Sequence, residues 1–130
     1  MFSDIQKNTL QEFLAHTFNL VSDELTQQYP LALSIGKDKI ILIEGMTTSL
    51  KLTLIIELEE HTINSTLINL LSLCHFDHQK HTSIRPGFLK PNRACLTSII
   101  EDHDLTIPNL AKLVEAVNQI FTKALNQGNF

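Results

Sequence analysis

A chain of 130 residues fits one domain, and a domain of that size buries about two-thirds of the surface of its unfolded chain, so its core stands without disulfides or zinc. Hydrophobic residues make up 43% and charged residues 18%, against about 25% charged in an average soluble domain, which leaves apolar side chains over for the surface. The formal net charge of −4, with 10 Lys+Arg against 14 Asp+Glu and no basic run, excludes the electrostatic footprint of a nucleic-acid binder and argues against attraction to anionic membranes.

The first element is an amphipathic helix over residues 3–20. Ser3 and Gln6 have the spacing of a capping box, which satisfies orphan amides at a helix start. Leu10, Phe13, Leu14, Phe18 and Val21 recur at three- and four-residue steps, while Gln11, Glu12 and Asn19 fall elsewhere on the wheel. Tyr29-Pro30 then biases the chain toward an extended conformation. Three strands follow. Leu31, Leu33 and Ile35 alternate with Ala32 and Ser34, and Gly36-Lys37-Asp38-Lys39 supplies a hairpin turn. A nearly continuous apolar strand covers 40–44, residues 45–49 turn again, and Leu50, Leu52, Leu54, Ile56 and Leu58 alternate strictly. The opposite face of that third strand carries Lys51, Thr53, Ile55 and Glu57, and is expected to be mostly wet.

A second helix is predicted over 64–75. Leu67, Leu70, Leu71 and Cys74 lie along one stripe, and Ile63, Ile68 and Leu73 widen the apolar arc beyond what one core face needs. Such a helix wants two partners, its own sheet on one side and a second subunit on the other. Residues 75–91 are polar and irregular, with a short strand around Phe88, and 94–100 read as a strand. An acidic turn, Glu101-Asp102-His103-Asp104, precedes a last helix capped by Thr106 with Pro108 in its first turn. Leu110, Leu113, Val114, Val117, Ile120, Phe121, Ala124 and Leu125 hold helical spacing until Gly128.

Residues 1–10 contain no continuous apolar stretch of the signal-peptide kind, and the longest apolar run falls far short of the roughly 20 residues that span a bilayer. A cytoplasmic location is expected. Cys74 and Cys95 sit in apolar stretches far apart in sequence and read as two buried thiols in a reducing compartment.

Three constellations bear on chemistry. Cys74, His75, His78 and His81 supply zinc-type donors, but three-residue steps rotate the third histidine away from the first on a helix, and a second ligand pair is absent. Apolar placement of both cysteines raises a thiol pKa and blocks access, which disfavours nucleophilic catalysis. The acidic turn lacks a shell to fix paired carboxylates, and none of the four glycines forms a phosphate cradle. No catalytic residue, metal or cofactor is expected.

The element order, helix, three strands, helix, strand region, long last helix, resembles the class I chaperones of bacterial type III secretion systems, the Tir-chaperone type. The most specific likeness is Ile84-Arg85-Pro86-Gly87-Phe88-Leu89, then Ala94-Cys95-Leu96, Glu101-Asp102, and Leu105-Thr106-Ile107-Pro108-Asn109-Leu110. It is similar to the C-terminal half of members that chaperone the secretion gatekeeper, some of which work as heterodimers of two related small subunits. Members often carry a tryptophan near the end of the last helix, which this chain lacks.

The resemblance implies an α+β fold in one domain over 1–130, a two-layer sandwich with a twisted antiparallel sheet in the order α-β-β-β-α-β-β-α, dimeric through the second helix. It further implies a non-enzymatic bacterial cytoplasmic chaperone that holds the N-terminal segment of a secreted effector or gatekeeper protein in an export-competent form. On that reading Phe13, Leu14, Phe18, Leu31, Leu33 and Ile35 face the client, partly through an unpaired strand edge, and Leu67, Leu70, Leu71 and Cys74 form the dimer interface, with a partner subunit either identical or related. Two readings compete: a small metal-binding or enzymatic α/β domain using the Cys74, His75, His78 and His81 cluster, and a structural subunit of a multi-protein complex.

Overall fold

The computed structural model of the protein describes residues 2–17, 30–35, 38–77, 84–89 and 92–127. Helix α1 spans Asp4–Thr17, and strands β1 (Leu31–Ile35), β2 (Lys39–Gly45) and β3 (Ser49–Glu57) follow. A 3₁₀ turn, Glu60–Thr62, leads into α2 (Ile63–Asp77). Strands β4 (Ile84–Leu89) and β5 (Arg93–Glu101), a second 3₁₀ turn (Asp102–Asp104) and α3 (Ile107–Gln127) complete the chain. The expected order of elements is thus found, and the strand around Phe88 is a full six-residue edge strand. The parts of the first helix expected beyond Thr17, Phe18 and Val21 among them, lie outside the described residues.

All strand pairs are antiparallel, in the spatial order β1-β2-β3-β5-β4. The β4–β5 hairpin returns after α2 so that β5 lies against β3, with Leu50 opposite Ile100, Leu52 opposite Ser98 and Leu54 opposite Leu96. Because side chains alternate across a strand, these rows, with Ile41 and Ile43 of β2 and Leu31 and Leu33 of β1, share one face. That face is buried against Leu10, Phe13 and Leu14 of α1, Leu70 and Cys74 of α2, and the Leu110, Leu113, Val117, Ile120, Phe121 and Ala124 stripe of α3, in one core. Helix α3 contacts both of the others, and α2 also contacts the edge strand β4.

The capping box forms. Gln6 N donates to Ser3 Oγ at 3.2 Å, and Ser3 N donates to Gln6 Oε1 at 2.9 Å. The same glutamine has a second role. Its fully buried Nε2 donates to Met46 O at 3.1 Å, Ser49 O at 3.0 Å and Asp102 Oδ1 at 2.9 Å. One amide group thereby clamps the start of α1 to the β2–β3 turn and to the turn after β5. The last helix starts as expected, with Asn109 N donating to Thr106 Oγ1 at 3.2 Å.

Removing the Gln6 amide takes a donor from Met46 O and Asp102 Oδ1 and leaves Ser49 O with the Met46 N–H alone. Gln6→Ala is expected to lower the unfolding free energy by about 2 kcal/mol, and Ser3→Ala by about 1 kcal/mol. Gln6→Glu should cost more than Gln6→Ala, because it presses a carboxylate on two carbonyls and on Asp102. Urea titrations of the three variants check this ranking.

Candidate functional site

The structure sorts the expected contact residues into two groups. Phe13, Leu14, Leu31 and Leu33, expected to face a client, are buried in the core of the single chain, as are Leu70 and Cys74, expected at a subunit interface. The reason is geometric: the stripe of α1 and the alternate residues of β1 point at the same helix–sheet seam, and that seam closes within one chain. Ile35, at the end of β1, is half-buried, and so is Leu67. Leu71 is 60% exposed, and its neighbour on the helix surface, Ile68, is 62% exposed. Ile68 was legible as part of the wide apolar arc, but spacing alone does not say which edge of such an arc turns outward.

Among the described residues, three surfaces are open to a partner. The first is the outer side of α2, where Ile68 and Leu71 stand one turn apart beside the polar Asn64, Ser65 and Ser72. Helix α2 is tied to α3 by Asn69, whose Nδ2 donates to Ala124 O at 3.0 Å. On the adjoining strand β4, Phe88 is 43% exposed and lies on the helix-bearing face, opposite Ala94.

The second is the pair of sheet edges. Among the described residues, β1 pairs only with β2 and β4 only with β5, so each offers one unpaired side. They are unequal, since β4 carries Pro86, which lacks an N–H, and β1 has five residues with an amide each.

The third is the sheet face opposite the helices. The register brings Ile40, Ile55, Cys95 and Gly87 into one row across the strands and Ala32, Leu42, Thr53, Thr97 and Arg85 into the next. A row with Glu57 opposite Arg93 flanks them on one side, and a row with Glu44 opposite Lys51 flanks them on the other. The face expected to be mostly wet is therefore mixed through its middle, with Ile40, Leu42 and Ile55 beside Ser34, Thr53, Thr97 and Arg85. Ile40 is 37% and Ile99 is 46% exposed, Leu42 and Ile55 are half-buried, and Thr53 is buried with its hydroxyl 3.4 Å from that of Thr97.

Neither cysteine is in a disulfide. Partial burial pushes the Cys95 thiol above its usual range, against the opposing pull of a Thr97 hydrogen bond and the Lys51 charge, so Cys95 is a weak nucleophile near neutral pH. Cys74 lies in the core, while the side chain of His75 and all of His78 and His81 lie outside the described residues. Among the described residues no three His, Cys, Asp or Glu side chains come together as a metal site. In the acidic turn Asp102 is engaged with Gln6, and His103 meets Asp104 at 3.3 Å on the exposed surface, an arrangement that holds a turn and builds no catalytic pair. No described helix is long and apolar enough to cross a membrane.

No protein-family model matches the chain, and no curated protein matches it. Solved structures do. The chain superimposes on SycH, a type III secretion chaperone of Yersinia pestis solved in complex with a stable fragment of YscM2, with a TM-score of 0.60 and 19% identity over 89% of this chain and 98% of that one. It also superimposes on YbjN of E. coli, a candidate transcription regulator, with a TM-score of 0.57 and 11% identity over 94% of this chain and 90% of that one. At these identities the likeness is one of fold alone, the α+β fold that SycH and YbjN share.

One close approach on the open face is testable. A Cβ added at Gly87 would lie 2.9 Å from Cys95 Sγ, so Gly87→Ala is expected to cost about 1 kcal/mol or more. Combining it with Cys95→Ala should recover most of that cost. Additive losses in a thermal-melt double-mutant cycle would show the contact to be slack.

Proposed function

We propose that this chain is a non-enzymatic type III secretion chaperone that binds the N-terminal region of a secreted effector or gatekeeper protein and keeps it soluble and export-competent. The observation that carries this reading is the surplus of apolar surface on a complete core: one chain fills its helix–sheet seam and still exposes Ile68, Leu71, Phe88, Ile40 and Ile99. Its fold is shared with SycH, which was solved with a bound fragment of another protein. YbjN shares the fold as well, but a net charge of −4 gives no support to a DNA-contacting role here.

The proposed chaperone works in the bacterial cytoplasm as a dimer, with an identical or related subunit docked on the outer side of α2. Ile68 and Leu71 replace Leu70 and Cys74 as the side chains that reach the partner, with Leu67 at the margin. Client side chains take the open sheet face, and the β1 edge around Ile35 can add a client strand through backbone hydrogen bonds.

Two measurements check this reading. Leu71→Asp sets an unpaired charge in the proposed apolar contact at a cost of several kcal/mol, and sedimentation is expected to show monomer where the parent is a dimer. Leu70→Asp, buried in the core, should instead unfold the chain. Protein isolated from its native cell is expected to retain one dominant secreted protein, and limited proteolysis should map the bound region to that protein's N-terminus. Retention of a folded C-terminal domain would reject the chaperone assignment in favour of a structural subunit.

A further inference from the structure

Burial is shared unevenly among the elements. Helix α3 sends Leu110, Leu113, Val117, Ile120, Phe121 and Ala124 into the core, and β3 sends Leu50, Leu52, Leu54 and Ile56. Helix α2 sends in one large apolar side chain, Leu70, with the hydroxyl of Thr66 one turn before it and the thiol of Cys74 one turn after. Its Ile63, Leu67 and Leu73 are only partly buried. Strand β4 is poorer still, since Ile84 is its one buried side chain. Opposite Ile84, the helix-bearing face of β5 offers a buried hydroxyl, that of Ser98.

These two lightly anchored elements lie together. They are consecutive in chain order, α2 contacts β4, and β4 is the last strand of the sheet. Both can leave without breaking any strand pair except β4–β5, because β5 stays paired with β3 along its whole length, Arg93 to Glu101. Elements with few buried apolar contacts open at a lower free energy than the core they lean on, in contiguous cooperative units. The outer side of α2, with Ile68 and Leu71, holds the apolar surface that its inner side lacks.

We propose that α2 and β4 form a unit that opens separately from the rest of the domain, and that a subunit docked on the outer side of α2 locks it. This rests on the α2 interface of the chaperone reading and adds a conformational control to it. In the open form α1, α3 and strands β1, β2, β3 and β5 stay assembled, helped by the Gln6 clamp, none of whose partners belongs to α2 or β4. Opening carries Ile68 and Leu71 away with α2, so the partner binds the closed form only, and mass action shifts the unit toward closed as partner concentration rises. An unassembled subunit is thereby marked by an opening that an assembled one lacks.

Amide hydrogen exchange on the full chain reads the opening. In the monomer, made by Leu71→Asp or by dilution of the parent, amides of α2 and β4 are expected to exchange about 100-fold faster than those of β3. Gln6→Ala weakens the part that stays assembled, so it should speed β3 about 30-fold and leave α2 and β4 unchanged. In the parent, exchange of α2 and β4 should slow about 100-fold when the protein is raised to about a hundred times its dimer dissociation constant, and in Leu71→Asp it should not slow. Equal exchange of α2, β4 and β3 in the monomer, or a Gln6→Ala effect of the same size on all of them, would overturn the separate unit and leave the interface standing. Exchange in α2 and β4 that ignores concentration while sedimentation shows a dimer would overturn the lock. A parent that stays monomeric at every concentration, or a Leu71→Asp protein that stays dimeric, would reject the α2 interface itself, and the lock with it.

Discussion

The arrangement of this molecule depends on the Gln6 side chain. Its oxygen closes the capping box at the start of α1, and its nitrogen reaches the β2–β3 turn and the turn that follows β5. Two N–H hydrogens serve three acceptors, so at least one bond is shared, and the site has no spare donor. Sequence-distant pieces separated by 40, 43 and 96 residues are held at one point. Fixing that point sets where α1 crosses the sheet, and with it which side chains enter the seam. Phe13 and Leu14, two turns further along, lie in the core.

The completeness of that core gives the outer surfaces their meaning. A small domain that is short of apolar area needs every Leu and Ile inside. Here the seam is filled to near-zero exposure at Leu10, Leu50, Leu70, Leu96 and Phe121, and further large apolar side chains still stand in water. Ile68 and Leu71 share the outside of α2, Ile40 and Ile99 lie on the far side of the sheet, and Ile5, Met46, Phe88 and Leu89 are exposed elsewhere on α1, the β2–β3 turn and β4.

Much of this was legible in the sequence. The capping box, the Thr106 cap and the long stripe of α3 depend on local spacing, and each appears as read. Strict alternation in β3 gave the inner face correctly from Leu50 to Ile56. Phe13, Leu14, Leu31 and Leu33, expected to face a client, lie in the core, because periodicity reports that an element has an apolar side and says nothing about whether that side meets the chain's own sheet or a partner. The Gln6 clamp had no sequence signal, since Met46, Ser49 and Asp102 are brought together only by the fold. The row of Ile40, Ile55 and Cys95 was hidden for the same reason, since it is completed only when β5 returns to pair with β3.

The difference between the two sheet edges has a consequence for assembly. Growth of a sheet from molecule to molecule requires two competent edges, so that each copy receives a neighbour on one side and offers itself on the other. Among the described residues Pro86 removes one N–H from β4, while every residue of β1 keeps its own, so the two ends of this sheet are unequal templates. Copies built this way are poorly matched for growing one sheet end to end, and a strand added at β1 meets the better-furnished of the two edges.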